Sequence, residues 1–75
     1  MSKEYVTIEI SNLPIKLGQF LKLAELVQDG FEAKIRIQEG EVMVNGVIET
    51  RRGRQLVSGE TITLGQKAIL IKQKS

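Results

Sequence analysis

The chain begins with a period of two. From Glu4 to Ile10, Val6, Ile8 and Ile10 fall on one side and Tyr5, Thr7 and Glu9 on the other, the pattern of a half-buried strand. Ser11, Asn12 and Pro14 end it, because Pro14 has no amide donor and restrains Leu13 to extended geometry. The period then becomes helical. At about 100° per residue, Leu17, Phe20, Leu21, Ala24 and Val27 share one face, with Leu23 at its edge and Leu26 opposite. This spacing predicts a helix over 17–28, closed by Gly30 as its C-terminal cap.

Residues 31–38 support two readings. Phe31, Ala33, Ile35 and Ile37 alternate with polar residues, which by period alone predicts a strand; a short helix packing Ala33 and Ile37 at i, i+4 is the rival. Phe31 is expected to pack in either case. Asn45-Gly46 between Val42–Val44 and Val47–Ile48 predicts a type I′ hairpin, in which both central residues need positive φ. A basic loop follows from Arg51 to Arg54. Leu56-Val57, a Ser58-Gly59 turn, a strand over 61–64, a Gly65-Gln66 turn and a final strand over 67–72 complete the pattern.

With 75 residues there is room for one domain, expected over 1–75, and stability must come from apolar packing. The chain has no Cys and no His, which excludes disulfides, thiolate or imidazole metal sites and Cys–His or Ser–His nucleophilic catalysis. The nine carboxylates are scattered and no phosphate-loop glycine pattern occurs, so no enzyme, cofactor or small-molecule substrate is expected. No apolar run approaches the roughly 18 residues of a membrane span, and the polar start lacks the apolar centre of a secretory signal. A cytoplasmic protein without a membrane partner is the expectation.

Net charge is only +2, but it is unevenly distributed. Residues 1–49 carry five basic and eight acidic side chains, a balance of −3, whereas residues 50–75 carry six basic and one acidic, a balance of +5. Lys34 and Arg36 precede the hairpin, and Arg51, Arg52 and Arg54 follow it. Because a hairpin brings its ends together, these groups are expected to converge. The arginines suit phosphate oxygens, which match their planar forks; the competing role for them is pairing with Glu49 or Glu60. With only three aromatic residues, recognition of RNA by shape and phosphate contacts fits better than base stacking.

Three stretches carry a resemblance: Lys16-Leu17-Gly18-Gln19-Phe20-Leu21, then Glu32-Ala33-Lys34 with Ile37, then Glu39-Gly40-Glu41-Val42-Met43-Val44-Asn45-Gly46. Together with Leu56-Val57-Ser58-Gly59-Glu60-Thr61-Ile62 they make residues 15–64 resemble the S-four RNA-binding domain, also called the αL motif. Glu49-Thr50-Arg51-Arg52-Gly53-Arg54 and the strand at 4–10 narrow the likeness to short stand-alone bacterial members. The resemblance implies an α+β fold, with two short helices packed on a small, mainly antiparallel sheet that has an added N-terminal strand. It also implies a helix at 31–38 and binding to structured or ribosomal RNA.

Two positions depart from the family. Gly18 stands where the family has Asp, and Asp29-Gly30-Phe31 replaces a Ser-Arg-Ser-type opening whose Arg contacts RNA. Carry-over therefore covers Lys16, at the family's Arg, and Lys34, with Arg36 at a position often small or apolar. Arg51, Arg52 and Arg54 rest on the stand-alone members and on local charge. These six are the expected RNA-binding residues, forming one basic face. The alternative is a protein-interaction module of the same fold with an acidic partner.

Overall fold

A computed structural model describes residues 4–75. The elements run β1 (Glu4–Ile10), β2 (Ile15–Lys16), α1 (Leu17–Leu23), α2 (Gly30–Gln38), β3 (Val42–Val44), β4 (Val47–Ile48), β5 (Gln55–Leu56), β6 (Thr61–Leu64) and β7 (Lys67–Gln73). Five strands form one sheet in the order β1-β7-β6-β3-β4, antiparallel except where β1 runs parallel to β7. β2 and β5 form a separate antiparallel pair, Ile15 opposite Leu56 and Lys16 opposite Gln55. The fold is α+β, two helices on a mixed sheet.

One hydrophobic cluster joins the layers. Leu17, Phe20 and Leu21 of α1 and Ala33 and Ile37 of α2 are fully buried in it with Val42, Leu56, Ile62 and Ile71. On β1 burial deepens along the strand: Val6 is exposed, Ile8 is half-buried and Ile10 is buried.

The segment that alternates in sequence is helical. Its four apolar residues divide into two i, i+4 pairs, Ala33 with Ile37 and Phe31 with Ile35, which lie on different faces of a helix. Ala33 and Ile37 are buried, whereas Ile35 is exposed and Phe31, expected to pack, is 72% exposed. The helix start is built by Asp29 and Glu32. The Asp29 carboxylate accepts from the Glu32 amide at 2.8 Å, and Glu32 Oε1 accepts from the Gln28 amide at 2.7 Å. Such a reciprocal arrangement satisfies donors that a helix N-terminus leaves open. Gly30, read from sequence as the cap of the first helix, is thus the first residue of the second.

The first helix is shorter than its apolar period, ending at Leu23 rather than near Gln28. Glu25 adopts φ 59°, its amide donates to the Lys22 carbonyl at 3.0 Å, and the Leu26 amide donates to the Leu21 carbonyl at 2.9 Å. This is a Schellman stop, with Leu26 packing back on the cluster that contains Leu21. α2 ends the same way, the Gly40 amide reaching Ile37 and the Glu41 amide reaching Arg36, both at 3.1 Å. There the left-handed position is Gly40 at φ 76°, a residue without a Cβ to strain. In α1 a glutamate fills it, so the usual sign of a helix end is missing.

Asn45 at φ 53° and Gly46 at φ 82° make the expected hairpin turn. Gly46→Val should lower the melting temperature, since a β-branched residue resists positive φ; an unchanged value would mean that the turn tolerates another geometry. Glu25→Gly should raise it by a few degrees, because left-handed geometry costs an L-residue about 1–2 kcal/mol and glycine's greater unfolded freedom offsets only part of that. A fall would show that the Glu25 side chain contributes more than its backbone costs.

Candidate functional site

The loop from Arg51 to Arg54 docks on the start of α1. The Leu17 amide donates to the Arg54 carbonyl at 2.8 Å and the Gly18 amide to the Arg52 carbonyl at 3.0 Å. These bonds satisfy two donors that the first turn of a helix leaves open, and Lys16 caps that end without a side-chain hydrogen bond. Lys16 therefore stands at the junction of β2 and α1.

Two of the three loop arginines are committed to carboxylates. Arg51 Nε and Nη2 donate to Glu49 Oε2 and Oε1 at 3.0 and 3.1 Å, and its amide donates to Oε2 at 3.0 Å. Arg54 Nη1 and Nη2 donate to Glu60 Oε1 and Oε2 at 3.2 and 2.9 Å, and Arg54 Nε lies 3.3 Å from Glu49 Oε1. Glu60 also accepts from the Val57 amide at 2.9 Å and Asn45 Nδ2 at 3.1 Å. The chain of contacts thus runs from the hairpin turn to the loop.

Arg36 is paired too, with Glu41 at 2.7 Å and Glu32 at 3.4 Å. It lines a depression with Leu26, Glu41 and Leu64, apart from the docked loop. The single face expected for all six residues is therefore not what the structure has.

Arg52 and Lys16 do converge, and Lys22 joins them. The three line a concavity of about 340 Å³ whose other walls are Gly18, Gln19, Gly30, Ala33 and Gly53. None of the three has an ion-pair partner among the described residues. Lys22 Nζ reaches over Gly30, 4.0 Å from where a Cβ would stand, and Arg52 lies across Gly18. Lys34, one turn beyond Gly30 on α2, projects from the same flank as Gly30 by helical geometry, while Arg36 belongs to the opposite flank. Such a cradle presents concentrated positive charge over small residues, which suits an anion such as phosphate.

Sequence reasoning missed Lys22, which lies away from the apolar stripe of the first helix. The signal was its place four residues after Gly18, which puts the two on one helix stripe.

Hydrogen bonding and charge from Arg51, with a further charge from Arg54, hold the Glu49 carboxyl down to about 2 from an ordinary 4.5. Arg54 likewise holds Glu60 below its ordinary value, while Arg51 and Arg54 are shifted upward by the same partners. A depressed carboxyl stabilises the fold above its unfolded value and loses that contribution as pH falls through the folded one. The loop contacts should therefore hold at neutral pH and weaken between about pH 4.5 and 2. Carboxyl resonances of Glu49 followed by NMR should titrate near the lower limit; a midpoint near 4.5 would mean that the pairs with Arg51 and Arg54 do not persist in solution.

The model of the S4 domain family matches residues 8–72. A Bacillus subtilis protein named "Probable ribosome maturation protein RlbA" is 46% identical over 57 residues, covering 76% of this chain and 80% of the relative. The Escherichia coli protein named "Putative RNA-binding protein YbcJ" is 35% identical over 57 residues, covering 76% and 81%. The solution structure of Escherichia coli YbcJ, which has an αL motif involved in RNA-binding, superposes with a TM-score of 0.68 at 33% identity. That superposition covers 88% of this chain and 85% of YbcJ. A family match that spans the sheet and both helices, with relatives alike in sequence and structure, leaves one assignment: the chain belongs to the S4 domain family.

Proposed function

We propose that this domain binds structured RNA, ribosomal RNA being the first candidate, by seating backbone phosphates in the cradle of Lys16, Lys22 and Arg52. The observation that carries the reading is the convergence of these three cations, without ion-pair partners among the described residues, on one concavity. The names of the relatives, one an RNA-binding protein and one a ribosome maturation protein, support the choice of ligand. Lys34, one helical turn from Gly30 on the same flank of α2, would extend the positive surface. Arg51 and Arg54 hold the loop in place and Arg36 stands on the other flank, so their contribution to binding is secondary. The function is recognition rather than catalysis.

Phosphate contacts release counterions, so affinity should fall steeply with salt. Replacing Lys16, Lys22 and Arg52 together by Ala should flatten the log–log salt slope by roughly two to three units, about one per lost contact. The loss should be similar across RNA sequences, because phosphates carry no sequence information. Binding to a structured ribosomal RNA fragment, measured by fluorescence anisotropy from 50 to about 300 mM salt, provides the test. A slope that survives the triple substitution would move the site elsewhere. Loss confined to one RNA would mean that these residues read bases.

A further inference from the structure

We infer that Gly18 is a positioning residue for RNA binding: by lacking a side chain it seats Arg52 across the first turn of α1 and aims it into the cradle. This rests on the RNA reading above. A Cβ built on Gly18 would lie 2.7 Å from Arg52 Cγ and 3.3 Å from Cδ, with the Arg52 carbonyl at 3.7 Å. The first distance is closer than Cβ atoms approach other heavy atoms in folded proteins. Something would have to move, and the backbone is poorly placed to do so. The Gly18 amide is bonded to the Arg52 carbonyl and the Leu17 amide to the Arg54 carbonyl, while Arg54 is held by Glu60 and Glu49.

The side chain must therefore swing. Arg52 Cγ is set by the first side-chain torsion, so relieving the clash turns the whole chain to another staggered position and carries the guanidinium away with it. No ion pair among the described residues would hold the head in place. The glycine also needs a reason to be there. In a helix it costs about 1 kcal/mol relative to alanine, and Gly18 is a helical residue without positive φ. Close approach of Arg52 is that reason.

The experiment is a double-mutant cycle of Gly18→Ala and Arg52→Ala, read by affinity for the structured RNA fragment and by melting temperature. Arg52→Ala should reduce the salt slope by about one unit. Gly18→Ala, with its arginine retained, should lose most of the affinity that Arg52→Ala loses. The double variant should bind no worse than Arg52→Ala, since the truncated side chain has no Cγ to displace. In the Arg52→Ala background, Gly18→Ala should raise the melting temperature, because only helix propensity is left to act. Gly18→Ala binding as wild type, or losses that add across the cycle, would overturn the inference.

A measurement without RNA separates this inference from the reading on which it rests. In the free protein, the Gly18 α protons should show nuclear Overhauser contacts to the γ protons of Arg52. Their absence would overturn the seat even if wild-type protein binds RNA. Wild-type protein that shows the contacts but binds no RNA would overturn both the RNA reading and the role assigned to Gly18 in binding, leaving only the packing.

Discussion

The carboxylate of Glu60 is the fixed point around which the hairpin turn and the arginine loop of this domain are assembled. It accepts from Arg54 twice, from the Val57 amide and from Asn45 of the hairpin turn, so the hairpin turn and the segment from Arg54 to Val57 meet on two oxygens. Asn45 is in turn tied to β6, its side-chain oxygen accepting from the Thr61 amide at 3.0 Å. Charge-assisted bonds of this number favour ionisation and geometry together. With Arg54 anchored, its carbonyl and that of Arg52 are presented to the bare first turn of α1. A loop that by composition would be a solvated charge run becomes part of the helix cap.

That arrangement divides the basic residues into two kinds. Arg36, Arg51 and Arg54 spend their charge within the protein, while Lys16, Lys22 and Arg52 face a concavity without a counter-charge among the described residues. The pairs that Arg51 and Arg54 make with Glu49 and Glu60 fix the loop that carries Arg52. On the proposed reading, preorganisation of this kind would lower the ordering cost of binding a flexible side chain to phosphate.

Much of the fold was legible in the order of elements, because the hairpin and the two last strands carry strong turn and alternation signals. The helices were less so, and for identifiable reasons. Glu25 supplies a left-handed helix stop that no sequence rule assigns to glutamate, so the apolar period of the first helix runs on through Val27 with nothing to mark its end. Asp29 and Glu32 are a readable start signal, yet the alternation of Phe31 to Gln38 masked it until family resemblance reversed the reading. The site was less legible still. Charge patterning found Lys34 and the arginine loop, and the family resemblance added Lys16, but which arginines are spent on carboxylates depends on contacts far apart in sequence, such as Asn45 with Glu60. Lys22 escaped because a surface lysine on a helix has no distinguishing neighbour until α2 folds Gly30 beneath it.

The parallel pairing of β1 with β7 has a consequence for how the domain forms. Ile8 lies beside Ile71, so the two strands that complete the sheet come from opposite ends of the described chain. The hairpin and the two helices are made of near neighbours and can form early. Bringing β1 to β7 requires closing a loop that contains nearly everything else, at an entropic cost that grows with its length. In a chain emerging from its N-terminus, β1 must wait, with Val6 and Ile8 unpaired, until the rest has been made. The order of synthesis and the order of assembly therefore run in opposite directions at this edge of the sheet.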